Sequence, residues 1–355
     1  MAMELRELAK ACGEWLRGDG PESGVVISTR IRLARNVAGY PFLSRMDADQ
    51  RRDITDQVRR AVDDLKLVPG SSFLELDALG HVDRQFLVER HLISRELAAG
   101  DGIRAVLFGE HEADSLMINE EDHLRLQVMR SGLQLEPAWL RAGQLDDQLE
   151  TRLRFAFSSR LGYLTACPTN VGTGLRASVM MHLPALVITR QIEKVFQAVS
   201  RMRLAVRGLY GEGTQATGDF YQISNQVTLG KSEQEILETL SLTIPRIIEY
   251  ENKARDTLLR ESSVFLDDRI WRAVGMLQHA RQMSSDEALS LLSAVRMGVH
   301  LGRIRGLDIP SVNRLFIGTQ PGHLQLAGGG ELSPEDRDIA RAEFVRKALL
   351  GVTVN

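Results

Sequence analysis

Val25-Val26-Ile27-Ser28-Thr29-Arg30-Ile31-Arg32-Leu33-Ala34-Arg35-Asn36 alternates branched apolar residues with arginines at a period of two, the pattern of a strand with one face on a core. Arg30 and Arg32 fall on the same face, about 6.6 Å apart at ~3.3 Å per residue. A solvated strand face accommodates two arginines without further meaning, but the pattern recurs. In Asn119-Glu120-Glu121-Asp122-His123-Leu124-Arg125, continued strand geometry puts Glu121, His123 and Arg125 on one face and Leu124, Leu126 and Val128 on the other. Arg176 follows Gly172-Thr173-Gly174 at what reads as a helix start. Arg207 ends a strand that runs into Gly208-Leu209-Tyr210-Gly211-Glu212-Gly213-Thr214. Arginines therefore collect at strand ends and glycine loops, where ligands are usually met. The guanidinium is a planar fork of donors that stays charged and grips phosphate oxygens two at a time.

Working outward, residues 1–17 read as one amphipathic helix ending near Gly18, and residues 47–67 as a helix with acids in its first turns. A helix over 83–99 is stopped by Gly100. Three strand-like runs, IRAVLFG, DSLMIN and HLRLQVMRSG, are spaced like an antiparallel meander. Residues 143–160 look helical, as do a polar stretch near 190–200 and a long one at 231–260. RLAVRG and DFYQISNQVTLG carry strand signals. Beyond about Arg260 every periodic stretch is helical and no strand is expected. In the final helix Ser333 stands at the N-cap, Pro334 at the first position and Gly351 past the end. The reading is an α+β protein: an antiparallel sheet flanked by helices, then a smaller all-helical domain. The boundary falls near 255–265, and there are no internal repeats.

The composition excludes several classes. Lys plus Arg is 44 against 47 for Asp plus Glu, a net charge of -3, whereas a dedicated nucleic-acid binder would be strongly basic. No run approaches the ~18 consecutive apolar residues of a membrane span. The start, MAMELRELAKACGEW, lacks the apolar core of a signal peptide. Cys12 and Cys167 are the only cysteines, which excludes a disulfide framework and a cysteine-rich zinc site. The expected setting is cytoplasmic.

The phosphate-binding signatures of common kinases are missing. Gly230-Lys231-Ser232 has Asn225 where a Walker A loop needs glycine, and the protein-kinase Gly-rich loop, His-Arg-Asp and Asp-Phe-Gly are lacking. If this chain handles ATP, arginines hold the phosphates.

STRIRLARN, NEEDHLR, CPTNVGTGLRASV and the Arg207-Gly208 loop together resemble the phosphagen (guanidino) kinase family, over roughly residues 25–255. Within it the chain is most similar to the bacterial protein-arginine kinases of the McsB type. The metabolite kinases carry about a hundred helical residues ahead of the catalytic domain. This chain has barely twenty, and adds a helical domain behind it. Its last helix contains Arg337-Asp338-Ile339-Ala340-Arg341-Ala342, matching the family's phosphoarginine-binding motif.

The resemblance implies a glutamine-synthetase-like catalytic domain over 25–258, after a helical segment 1–24 and before a helical domain 259–355. It implies ATP phosphates held by Ser28, Thr29, Arg30, Ile31 and Arg32, by Arg125, by Arg176, Ala177, Ser178, Val179 and Met180, and by Arg207, Gly208, Leu209, Tyr210, Gly211 and Glu212. His91 would lie near the adenine, and Mg²⁺ would ride on the nucleotide, with no metal site of the protein's own. Glu121 and Glu212 match the family's two substrate carboxylates, suited to orient a guanidinium and take its proton. Cys167 matches the active-site cysteine, expected to be partly thiolate beside the arginines and to act electrostatically. Cys12 reads as packing. The implied activity is an ATP-dependent kinase for arginine side chains of proteins, marking them for proteolysis in the stress response. Expected partners are protein substrates with exposed arginines, a zinc-binding activator, a stress-gene repressor, a Clp-type protease and a second copy in a homodimer. The alternatives are a kinase for a free guanidino metabolite and a phosphoarginine-binding adaptor.

Overall fold

The computed structural model describes residues 5–208 and 217–354. Ten strands come first: β1 (Val26–Arg35), β2 (Ser72–Glu75), β3 (Ala105–Phe108), β4 (Asp114–Ile118), β5 (Leu124–Ser131), β6 (Phe157–Ser158), β7 (Gly162–Tyr163), β8 (Leu175–His182), β9 (Leu204–Gly208) and β10 (Phe220–Asn225). Eight of them form one sheet in the order β2-β3-β4-β5-β1-β8-β10-β9, with every neighbouring pair antiparallel. β6 and β7 make a separate hairpin. The expected meander is present as β3-β4-β5, and β1 occupies the middle of the sheet.

Alternation along β1 sets the two faces. Ile31 and Leu33 point with Leu126, Val128, Ala177, Val179 and Ile223 into a core shared with the helices Leu135–Glu150 and Glu233–Glu261. Ala138 and Ala142, both fully buried, let the first of these helices lie close to the sheet. The second starts at a Ser232–Glu235 capping box. The opposite face carries the arginines.

Several expectations need correction. Arg176 does not start a helix: it is the second residue of β8, whose Leu175 O and Ala177 N are bonded by the side chain of Asn225. Gly172 and Gly174, at φ +111° and +65°, make a turn rather than a helix cap. A Cβ at Gly174 would fall 2.5 Å from Arg35 Nη1 and 2.6 Å from Ala34 O. The 83–99 helix is two, His81–Glu89 and Arg95–Ala99. They are separated at His91, which adopts a left-handed φ of 59°, and Ser94 caps the second by accepting from Leu97 N at 3.0 Å. The helix expected at 143–160 is Leu135–Glu150, because residues 154–156 leave it to bond the backbone after β1. The amino-terminal helix is only Leu5–Lys10, followed by a 3₁₀ turn at Glu14–Leu16 that buries Trp15. Cys12 is partly buried against the core, in keeping with a packing role.

The last third is helical: Ser263–His279, Ser285–His300, Ile309–Gly318, Pro321–Gly328 and Pro334–Ala348. A small strand pair the sequence did not signal, β11 (Ile304–Arg305) with β12 (Thr353–Val354), closes its end. Its apolar residues join the same core as the sheet, without a break. Buried polar bonds cross the junction too. Arg296 donates to Gly24 O at 3.0 Å and to Ser23 O, and faces His182 Nδ1 at 3.1 Å. Asn313 Nδ2 donates to Leu16 O at 3.1 Å. Glu89, at the end of the His81 helix, accepts from Gly322 N at 2.7 Å and His323 N at 3.0 Å, capping the Pro321 helix.

Candidate active site

Strand register alone gathers the arginines. Arg32 pairs with Arg176 across β1 and β8 and with Gln127 across β1 and β5, while Arg30 pairs with Ser178. Ser178 continues to Ser224, Met180 to Gln222, and Gln222 to Arg207. Arg125, opposite Ala34, shares that parity. Arg30, Arg32, Arg125, Arg176 and Arg207 therefore project from one face of the three adjacent strands β5, β1 and β8 and the edge strand β9, each half-buried.

Charge of one sign at this density has a visible cost. Burial, then Arg125, Arg176 and Arg207, pushes the Arg30 guanidinium down to about 9. Burial and the neighbouring Arg30, Arg125 and Arg176 push Arg32 well below its ordinary value too, and its buried Nε has no hydrogen-bond partner among the described residues. Arg125 differs. Burial lowers it, but the ion pair with Glu120 outweighs this and the group is held above its ordinary value. Such a face is arranged for a ligand with several negative charges.

At one end of the face stands Glu121. Three contacts put it there. Asn36, just past β1, donates to Asp122 Oδ1 at 2.6 Å and to Leu164 O at 3.0 Å, and accepts from His123 N at 2.9 Å. Asp122 Oδ1 also accepts from Ala166 N at 2.7 Å, next to Cys167. The turn carrying Glu121 and the loop carrying Cys167 are thereby tied together, which brings the carboxylate and the thiol near each other, the thiol tending to lower the Glu121 pKa. Arg35 fixes the far side of that loop. It donates to Asp146 Oδ2 at 2.7 Å and Thr173 O at 3.0 Å, and lies 3.5 Å from the centre of the Tyr163 ring. Cys167 Sγ is also 3.0 Å from Thr169 Oγ1.

Partial burial, then the Asp122 and Glu120 carboxylates, holds Glu121 above the usual carboxylate range. A raised carboxylate beside an open face is suited to accepting a proton. His123 does not join it. Its ring is buried, accepting from Val37 N at 3.0 Å and lying 2.9 Å from Pro41 O. Sequence reasoning read the Glu121, His123 and Arg125 parity as one face, but β5 begins only at Leu124. Asp122, of opposite strand parity to Glu121, reads as a supporting residue; Asn36 was passed over as its positioning partner, since their pairing links segments far apart in the chain.

The remaining candidates divide. Ser28 and Ser178 line a small cavity under the arginine face with Arg30, His91, Met180 and Gln222. Thr29, Ile31, Ala177 and Val179 are buried in the opposite direction, so they could meet a ligand only through backbone. Gly208 ends β9, while Leu209, Tyr210, Gly211 and Glu212 lie outside the described residues. His91 sits between two helices rather than within one, and burial together with Arg30 and Arg32 pushes its imidazole down to about 3, leaving a neutral ring.

Far from this face, Arg341 is 1% exposed and fully engaged: Nε donates to Thr319 O at 2.8 Å, and Nη1 to Met283 O at 2.7 Å and to Asp338. Arg337 is half-buried with one long bond of 3.4 Å to Leu332 O. Ile339 is exposed, Ala340 half-buried and Ala342 buried. The two arginines of the motif thus have different surroundings. Only Arg337 is partly open.

Residues 53–254 match the family of ATP:guanido phosphotransferases, C-terminal catalytic domain, and residues 263–354 match the McsB C-terminal domain of protein-arginine kinases. The chain is 50% identical to the protein-arginine kinase of Moorella thermoacetica over 360 residues, covering 99% of this chain and 100% of the relative. It is 49% identical to that of Halothermothrix orenii over 352 residues, covering 98% and 99%. Among solved structures, lombricine kinase aligns with a TM-score of 0.58 at 27% identity, covering 69% of this chain and 70% of that one. A duplicated taurocyamine kinase from Schistosoma mansoni, with bound transition-state-analogue components, shares the fold at a TM-score of 0.59 and 24% identity, over 72% and 39% of the two chains.

Proposed function

The chain belongs to the ATP:guanido phosphotransferase family, and on that premise we propose that it is a protein-arginine kinase, moving the γ-phosphoryl group of ATP to arginine side chains of proteins. The observation that carries the reading is the five-arginine face ending at a raised carboxylate, with the Cys167 loop tied to the Glu121 turn through Asp122. ATP is the substrate as its Mg²⁺ complex. By family resemblance the ion is carried on the phosphate oxygens of the nucleotide.

The chemistry assigns the parts. A guanidinium with a pKa above ~12 is a poor nucleophile until a proton leaves. One of its nitrogens attacks the γ-phosphorus in line. The N–P bond forms, the bond to the departing ADP oxygen breaks, and the proton passes to a carboxylate. Glu121 is placed to orient the substrate guanidinium and take that proton, with Glu212 as the second carboxylate by family resemblance. Arg30, Arg32, Arg125, Arg176 and Arg207 bind the phosphates and hold the transferring charge without rearranging, which is most of what phosphoryl transfer asks of a protein. Cys167 contributes electrostatically beside the guanidinium and forms no covalent bond to phosphorus.

A polypeptide substrate is favoured over a free metabolite because this chain carries the McsB C-terminal domain and aligns over 98–99% of its length with relatives named protein-arginine kinase. The same reading extends to a cytoplasmic homodimer that marks proteins for a Clp-type protease in the stress response, alongside a zinc-binding activator and a repressor of stress genes. Resemblance is its support. No helix among the described residues is long and apolar enough to cross a membrane. The test offers γ-labelled ATP to the enzyme with a casein-like protein and free arginine together. Acid-labile label on the protein alone is expected. Label on free arginine alone would make this a metabolite kinase, and no label on either would remove the activity.

A further inference from the structure

A groove away from the arginine face combines depth with exposed apolar side chains. It encloses about 270 Å³ and runs between the β6–β7 hairpin and the turn ahead of the Glu233–Glu261 helix. Phe157 is 61% exposed, Leu161 39% and Leu229 50%, and all three line it. Large apolar groups gathered in one concave place mark a surface that meets another molecule. The charges along it are mixed: Arg160, Lys231 and Glu233, with Lys231 already paired to Glu235 at 3.1 Å. Such a groove gives a second polyanion little to hold, and has room for one or two side chains of a polypeptide.

The groove is built onto the reaction site. Tyr163 N donates to Gly172 O at 2.8 Å and Gly172 N to Tyr163 O at 3.2 Å, closing the loop that carries Cys167; the neck of that loop is the groove floor. The far bank is tied to the same loop, since Thr228 Oγ1 donates to Thr169 O at 2.8 Å and to Val171 O at 2.7 Å. Gly172 lets the two backbones meet: a Cβ there would fall 2.8 Å from Thr228 O. The near bank is rooted at Asn36, whose carbonyl accepts from Ala156 N at 2.7 Å and whose side chain holds Asp122 beside Glu121. Phe157 is braced in turn. Its ring meets that of Tyr163 edge-on at 5.3 Å, and the Arg35 guanidinium covers Tyr163.

We propose that this groove receives the substrate polypeptide next to the arginine being phosphorylated, and that Phe157 and Leu229 hold one of its apolar side chains. The target guanidinium stands at the end of a long side chain, so the backbone that presents it passes outside the site. In an extended segment, residues two apart point the same way and lie about 6.6 Å apart at ~3.3 Å per residue. An arginine can then enter beside Glu121 while a neighbour enters the groove. The proposal rests on the protein-arginine kinase reading and deepens it. The phosphoryl chemistry selects arginine, and the groove selects among arginines.

The experiment uses the full chain and Gly/Ser peptides with a single arginine: a plain one, one with Leu two residues before the arginine, and one with Leu two residues after. Wild-type enzyme should favour a Leu peptide over the plain one by about 10-fold in kcat/KM, mainly through KM, the effect of partly burying one apolar side chain. Phe157→Ser and Leu229→Ser should each bring that ratio close to one, and Phe157→Leu should keep it. The arginines labelled in a casein-like protein, mapped by mass spectrometry, should show the same preference and the same loss, which gives an answer even if short peptides are ignored. A wild type without the preference, a serine variant that retains it, or an equal loss on every peptide in a folded variant overturns the proposal. So do serine variants that change only the oligomeric state in sedimentation, which would make the groove a contact between copies of this chain. Arginine phosphorylation without the preference sinks the groove and leaves the kinase reading standing, whereas no labelled arginine on any substrate removes both.

Discussion

Arg341→Ala should loosen the helical region, and Arg337→Ala should not. The Arg341 guanidinium is buried and donates to Thr319 O and Met283 O, two main-chain carbonyls on separate segments, and to Asp338 on its own helix. Thr319 and Met283 are themselves 0% and 1% exposed, so truncation leaves their carbonyls with little access to water. Each charge-assisted bond is worth about 1.5–3 kcal/mol, and losing one side of such a buried arrangement costs roughly 3–5 kcal/mol. At about 2 °C per kcal/mol for a protein of this size, the melting temperature should drop by about 6–10 °C. Arg337, half-buried with one long bond to a carbonyl, should leave the melting point within about 1 °C of wild type. If the motif binds phosphoarginine, Arg337→Ala should weaken calorimetric binding of the free amino acid by about 10- to 100-fold, one charge-assisted contact. Differential scanning calorimetry of both variants decides the matter. An Arg341→Ala protein that melts with wild type would mean that the guanidinium ties nothing together, and that both arginines are equally available to a ligand.

Four further outcomes follow from the site. Glu121→Gln should lower kcat by at least about 100-fold, the contribution of a positioned proton acceptor, while ATP affinity stays within about twofold; unimpaired turnover would remove Glu121 from the reaction. Because the ionised form is the acceptor and its pKa is raised, wild-type kcat should fall with acidification at a pH above that of an ordinary glutamate, and a descending limb below 4.5 would contradict the cited environment. Arg32→Met should raise the melting temperature of the nucleotide-free enzyme by a few degrees, since burial and its like-charged neighbours oppose the native charged state, and should abolish tripolyphosphate binding; an apo enzyme destabilised by this change would refute the repulsion argument. Cys167→Ser should slow transfer and leave it measurable, and a trapped phosphocysteine would overturn its electrostatic role.

What was legible in the chain, and what was not, has local causes. The alternation around Arg30 and Arg32 survives as β1 because one face meets an apolar core, whereas of the three runs after Gly100 the first two are buried on both faces and were legible from their spacing as a meander. Arg176 was misplaced because Gly172-Thr173-Gly174 carries the residues of a helix start, while β8 is buried on both faces and shows little alternation to oppose that reading. Helical spacing runs straight through His91, and nothing local announces that its backbone turns left-handed there. Asn36 and Asp122 are polar residues beside a motif, and their value lies in a bond between segments 86 positions apart. Arg337 and Arg341 stand four residues apart, a spacing that fixes a helix face but not what packs over it.

The bond from Asn313 to Leu16 spans 297 residues, and that from Arg296 to Ser23 spans 273. A ribosome adding about 5–20 residues each second needs roughly 15–60 s to travel that far. Through that interval the turn holding Trp15 has been made and its wall has not, so the amino-terminal segment waits beside a half-built sheet with apolar rings in water. The chain thus completes its first twenty residues last. Chaperones that bind exposed aromatic segments should meet the growing chain there, and release should coincide with the appearance of the Ile309–Gly318 helix outside the exit tunnel.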